Sequence, residues 1–120
     1  MKNEGENISE RLLDFGVNVV RLTVKLNRTA ALRHIGNQLM RSATSCGANY
    51  EEACAAESKA DFVHKMQVVL KELRESLYWL KLVKKAGPSL DGELQPILRE
   101  AHELANIFAK SVITAKGSER

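Results

Sequence analysis

Five polar side chains, Gln38, Arg41, Ser45, Asn49 and Glu52, follow one another at spacings of 3, 4, 4 and 3 residues. That spacing puts them on one face of a helix. A second polar file, Lys65, Glu72 and Glu75 with Trp79 further along, follows in the next segment. Charged residues so arranged can pair across two packed helices, or line a polar groove able to hold a nucleic acid. Ser58 is a natural pivot between the two files. Arg41 lies 17 residues before it and Glu75 lies 17 after it. The same count sets Ser45 opposite Lys71 and Glu72, and Glu52 opposite His64 and Lys65. Opposite charges are therefore expected to meet at Arg41–Glu75 and at Glu52–Lys65. The simpler reading is a structural network that fixes register or assembly at some cost in stability; the groove is the functional alternative.

A third set is cationic. Residues 58–86 hold seven Lys or Arg against three acids, and residues 9–28 hold four against two. Lys71, Arg74, Lys81 and Lys85 share one helical face, with Tyr78 among them. Cations around an exposed ring suit phosphates and a stacked base; the plainer alternative is a solvated face with Tyr78 half buried. Metal and catalytic patterns are weaker. His34, His64 and His102 fall on three different segments without His-x-x-x-His spacing, and Glu100, His102 and Glu103 form neither Glu-x-x-His nor His-Glu-x-x-His. Ser42 and Ser45 have no general base nearby in sequence, although His64 would approach the Glu52 end of a hairpin. Gly36 and Gly47 lie inside a helical pattern rather than in a phosphate-binding loop. No catalytic residue, metal site or cofactor is expected, and the chain reads as a non-enzyme.

These residues need helices to position them. The chain has 120 residues, 44% of them hydrophobic, two prolines and no long β-branched alternation, which favours one all-α domain. Apolar periodicity predicts helices over about 8–27, 30–57, 59–86 and 92–116. In the first, Ile8, Leu12, Phe15, Val19, Leu22 and Leu26 form a heptad-like stripe, capped by Asn7 or Ser9, with Glu10 placed for a capping box. Beside it run Leu13, Val17, Val20 and Val24, more apolar surface than one packing face needs, so this helix is expected to meet another subunit. Thr29 caps the second helix, whose stripe Leu32, Ile35, Leu39, Ala43, Cys46, Tyr50 and Ala53 continues through the weak helix formers of "SATSCGAN". Small residues there are expected to let the second and third helices approach closely. Ser58 with Asp61 opens the third helix, Phe62, Met66, Val69, Leu73, Leu77 and Leu80 form its stripe, and Gly87-Pro88 ends it. Asp91 opens the fourth, through Leu94, Ile97, Leu98, Ala101, Leu104, Ala105, Phe108 and Ile113, with Pro96 expected near its first turn or at a kink. Short connections favour an antiparallel up-down four-helix bundle.

The start "MKNEGENISE" lacks the apolar core of a secretory signal, and no run reaches membrane-spanning length. Cys46 and Cys54, eight residues apart in one helix, would be about 12 Å from each other, too far for a disulfide. Free thiols point to the cytoplasm.

The segments "QLMRSATSCGANYEEA", "ESKADFVHKM" and "VLKELRESLYWL" resemble the four-helix bundle proteins encoded in intervening sequences of bacterial 23S rRNA genes. Gln38, Leu39, Arg41, Ser42, Thr44, Ser45, Ala48, Asn49 and Glu52 fit that pattern, as do Ser58, Asp61, Phe62, Lys65, Lys71, Glu72, Glu75, Trp79 and Leu80. The resemblance implies a bundle that assembles as a homopentamer. A more distant likeness is to the accessory variability protein of diversity-generating retroelements, a basic pentameric barrel that binds nucleic acid and a reverse transcriptase. The expected partners are thus other copies of this chain, RNA or DNA, and a protein partner, with no membrane. The alternative is an assembly scaffold, or accessory subunit for another protein, that binds no nucleic acid itself.

Overall fold

Each helix starts and stops where local chemistry allows it. The computed structural model describes residues 4–117, with four helices: α1 (Glu4–Lys25), α2 (Ala30–Cys54), α3 (Lys59–Ala86) and α4 (Asp91–Gly117). Thr29 Oγ1 accepts the Leu32 N–H at 3.1 Å and Ser58 Oγ accepts the Asp61 N–H at 3.1 Å, so two hydroxyls satisfy amides that the first helical turns leave open. At the end of α3 the Gly87 N–H donates to the Val83 carbonyl at 2.8 Å, and a Cβ on Gly87 would meet that carbonyl oxygen at 2.8 Å. Glycine is needed there for space, because its backbone is extended rather than left-handed. Pro96, five residues after Asp91, lies inside α4 without breaking it.

Two boundaries differ from the periodicity. α1 already runs at Glu4, so Asn7 and Ser9 are helical rather than caps. Ser9 Oγ instead donates to the Glu51 carboxylate of α2 at 3.2 Å. α2 stops at Cys54, three residues short of Glu57, because the Ala55 and Ala56 amides tighten onto Glu51, Glu52 and Ala53 carbonyls to make the turn. Within α2 the weak helix formers do not break the helix. Thr44 Oγ1 donates to the Met40 carbonyl at 2.8 Å, Ser45 Oγ to Ser42 at 3.0 Å and Asn49 Nδ2 to Ser45 at 2.9 Å. Hydroxyls and amides that turn back on preceding carbonyls cease to compete with the helix for its own backbone.

The helices pack as a ring in which α1 touches α2, α2 touches α3, α3 touches α4 and α4 closes on α1; across the diagonal the Tyr50 ring of α2 meets the Phe108 ring of α4 edge-on, with centroids 5.6 Å apart. The smallest extent, 19 Å, is that of two helix layers. Leu12, Phe15, Val19 and Leu22 of α1, and Leu26 just after it, meet Leu39, Ala43, Cys46, Val69, Leu73, Leu80, Leu94, Leu104 and Phe108 in one apolar core. Ile113 is a correction: it is 72% exposed, and Val112 and Ala115 take the buried positions near the end of α4. Ile97, Ala101, Leu104, Phe108 and Val112 continue the buried stripe, and Ile113 stands one residue off it, about 100° round the helix.

The small residues of α2 serve a different neighbour from the one expected. Gly47 faces Leu12 of α1, Gly36 faces Thr23 and Leu26, and Gly16 of α1 faces Thr44. The glycines therefore lie on the α1–α2 contact, and a Cβ at any of them would sit 3.7–3.9 Å from its neighbours, an ordinary van der Waals distance. On the α2–α3 contact the close approach belongs to two serines. The Ser42 and Ser76 hydroxyls, both fully buried, lie 2.9 Å apart.

Candidate functional site

The polar hairpin is built on the facing sides of α2 and α3. Arg41 Nη1 donates to Glu72 Oε2 at 3.1 Å, and Nη2 donates to Glu75 Oε2. The Glu72 side chain is 7% exposed, Glu75 30% and Arg41 51%, so the guanidinium forms a partly hydrated lid over a buried carboxylate. Trp79 Nε1 donates to Glu75 at 3.0 Å, and the His34 ring meets the Trp79 ring edge-on with centroids 6.5 Å apart. The indole N–H and then Arg41 lower the Glu75 pKa below the usual carboxylate value. The carboxylates of Glu72 and Glu75 raise that of Arg41. At the other end Lys65 Nζ donates to Glu52 Oε1 at 2.7 Å, and that contact raises the Lys65 pKa.

Arg41 thus meets Glu75, and Glu52 meets Lys65, as counting from Ser58 places them. Ser45 does not reach α3: Glu72 turns to Arg41, while Ser45 and Asn49 bond to α2 itself. Gln38 is half-buried on the same face, and Lys71 is exposed beside Glu75, whose carboxylate its charge helps to stabilise. Pattern reading missed Ser76 and the buried position of Ser42. The two hydroxyls share one bond, and the carbonyls of Leu39 and Glu72 lie at 3.1 and 2.9 Å as acceptors. A serine within the apolar stripe of the third helix was the available signal. Cys46 beneath them is buried, and burial, then the Glu72 charge, pushes its thiol up to about 12. The bonds that hold both serines run to each other and to backbone carbonyls, which fixes the register of the two helices.

Lys71, Arg74, Tyr78, Lys81 and Lys85 are all exposed along the outer side of α3. Tyr78 is 59% exposed, its ring edge against Trp79 at a centroid distance of 5.1 Å, so it is not half buried. Among the described residues none of the four cations has an ion-pair partner within 4 Å. Lys71 and Arg74 also line a groove of about 340 Å³ with Gln67 and Leu70 of α3 and Val112 and Lys116 of α4.

Three acidic residues of α4, Glu93, Glu100 and Glu103, pair with α1. Arg11 donates to both Glu100 oxygens at 2.9 and 2.6 Å and lies 3.1 Å from Glu103, which raises its pKa. Lys25 reaches Glu93 at 2.6 Å. Glu100 and Glu103 therefore tie α4 to α1. His34, His64 and His102 are exposed on separate helices, and among the described residues no three His, Cys, Asp or Glu side chains gather as metal ligands. On the far side of α1 the second apolar stripe stands in solvent: Leu13 is 65% exposed, Val17 38%, Val20 41% and Val24 74%.

Residues 6–110 match the 23S rRNA-intervening sequence protein family. The chain belongs to that family. The match takes in the polar hairpin, the α3 cations and the exposed stripe of α1, and ends before Lys116. This intervening-sequence family member is similar to a crystal structure of a protein of unknown function from the S23 ribosomal protein family of Bacteroides thetaiotaomicron VPI-5482. The two share 30% identity with a TM-score of 0.80, over 88% of this chain and 97% of the other. No curated protein matches it. The family suggested by the hairpin motifs is thus the one to which the chain belongs. No described helix of this family member is long and apolar enough to cross a membrane.

Proposed function

We propose that the chain is a non-enzymatic, cytoplasmic protein whose copies assemble, about five together, through α1, and that the assembly binds RNA or DNA through the basic face of α3. Pairing levels that rise along α2 as they fall along α3 (Arg41 with Glu75, Glu52 with Lys65) support an antiparallel up-down arrangement. The observation that carries the nucleic-acid reading is the row of exposed cations, without ion-pair partners among the described residues, around the exposed ring of Tyr78. Assembly is supported by the four exposed apolar residues of α1, because such stripes on soluble proteins mark contact surfaces. A single chain at +3 is a weak electrostatic ligand, but five copies would carry about +15 and engage several phosphates together.

Sedimentation equilibrium at micromolar concentration tests the assembly. A multimer that falls apart on Leu13→Glu with Val24→Glu supports it, and a monomer across the range overturns it. Fluorescence anisotropy with single-stranded RNA, single-stranded DNA and duplex DNA tests the nucleic-acid reading. Binding that weakens steeply with salt, and is reduced across all sequences by Lys81→Ala with Lys85→Ala, supports it. Tyr78→Ala is expected to weaken single strands more than duplexes, through loss of a stacking surface. An assembly that binds none of the three at low salt would instead be a scaffold or accessory subunit for another protein, the reading that the apolar stripe of α1 favours by itself.

A further inference from the structure

α4 carries a cationic file that the α3 pattern gives no hint of. Arg99, His102, Asn106, Lys110, Ile113 and Lys116 recur at spacings of 3, 4, 4, 3 and 3 residues and all are exposed. Only the four residues Gly87–Leu90 join α3 to α4, so the Arg99 end of this file lies toward Lys85. At the opposite end Lys116 lines one groove with Lys71 and Arg74. The two files thus run side by side for the length of the α3–α4 face. Its carboxylates are drawn toward the neighbouring helices, although Glu103, four residues after Arg99, keeps a side chain 66% exposed at the rim. Glu72 and Glu75 turn to Arg41 of α2, Glu93 to Lys25 of α1, and Glu100 and Glu103 to Arg11 of α1. The remaining acids of these helices, Asp61 and Asp91, sit in first turns at the ends of the bundle.

We propose that the nucleic-acid site is two helices wide, that Arg99 and Lys116 of α4 bind phosphates alongside the α3 cations, and that its ligand is a double helix. This rests on the nucleic-acid reading above and names its substrate class. Packed helix axes lie about 8–10 Å apart, so two cationic rows on their outer sides are spaced for the two phosphate strands bordering one groove. A single strand has one line of phosphates and binds best where several aromatic rings stack its bases. Tyr78 is the one exposed Phe, Tyr or Trp among the described residues of the two helices, too few for such a platform.

The test uses the full-length protein in its native assembly, with a 20-base-pair duplex RNA, a 20-base-pair duplex DNA and the matching single strands as probes, titrated from low to moderate salt. Wild type is expected to bind a duplex at least tenfold more tightly than its single strands. Arg99→Ala with Lys116→Ala is expected to weaken duplex binding about tenfold or more and to lower the salt slope by about two, since each lost phosphate contact removes about 0.9 from it. Arg28→Ala with Arg33→Ala removes the same net charge from exposed sites on the other side of the ring and is expected to change neither. Unchanged duplex binding by the α4 variant, with binding lost in the α3 variant, overturns the two-helix site and leaves the α3 reading standing. Equal losses in the α4 and control variants, or tighter binding to single strands, also overturn it. No binding by wild type to any probe overturns the nucleic-acid reading itself. RNA and DNA arms tell which duplex is preferred.

Discussion

Replacing Arg41 with alanine is expected to unfold the hairpin at a markedly lower temperature, because it strands Glu72. That carboxylate is 7% exposed and accepts from both terminal nitrogens of the guanidinium, Nη1 at 3.1 Å and Nη2 at 3.5 Å. Removing one partner of a fully buried pair costs about 3–5 kcal/mol, whereas an exposed pair contributes under about 1 kcal/mol. Arg41 is half exposed, so water entering the vacated space rehydrates part of the carboxylate and the loss falls between the two limits, at about 2 kcal/mol. With an unfolding entropy of about 2.1 cal/mol/K per residue over 120 residues, that is a drop in Tm of about 8 °C. The assay is thermal unfolding by circular dichroism at fixed protein concentration, since assembly would otherwise shift Tm by mass action. Arg41→Lys is expected to recover only part of the loss, because an ammonium cannot fork across Glu72 and Glu75. A double-mutant cycle with Glu72→Gln should give a coupling of about 1 kcal/mol or more. A Tm change under about 2 °C, or no coupling, would refute the claim that Arg41 compensates a buried charge.

Three further outcomes follow from the same contacts. Glu75 has a lowered pKa in the folded protein, so its contribution to stability is complete above the ordinary carboxylate pKa and is lost as pH falls through the lower, folded value; Glu75→Gln should flatten the acid side of a Tm-against-pH curve, and an unchanged curve would count against the Trp79 and Arg41 contacts. Cys46 is buried with its thiol pushed up to about 12, whereas Cys54 is exposed, so a thiol reagent at pH 8 should modify one cysteine per folded chain and both in denaturant; two fast thiols in the native protein would contradict the buried position. Gly47→Ala should raise stability by up to about 1 kcal/mol, since alanine is the better helix former and its Cβ meets Leu12 at an ordinary contact distance; a loss on calorimetry would mean that α1 and α2 need the glycine for their approach.

Periodicity alone determined that this chain forms four helices and which apolar stripes they bury, because a stripe repeating every three and four residues can be buried only as one side of a helix. It also determined the hairpin register. The turn between α2 and α3 is short, so counting outward from Ser58 brings Arg41 to Glu75 and Glu52 to Lys65. Tertiary structure decided whatever depends on angle about the helix axis and on which neighbour lies there. Ile113 is one residue off its stripe and faces solvent, and Ser45 lies in the polar file yet bonds its own helix because Arg41 has taken Glu72. The glycines read as spacers for α3 face α1, and Ser42 finds Ser76 in the core. Glu100 and Glu103 close on Arg11 from 89 or more residues away in sequence, a distance over which no local pattern carries information. Pairing those acids with Arg11 is what leaves Arg99, Lys110 and Lys116 to continue the cations of α3. A basic face made by two helices exists only once the helices have chosen their neighbours.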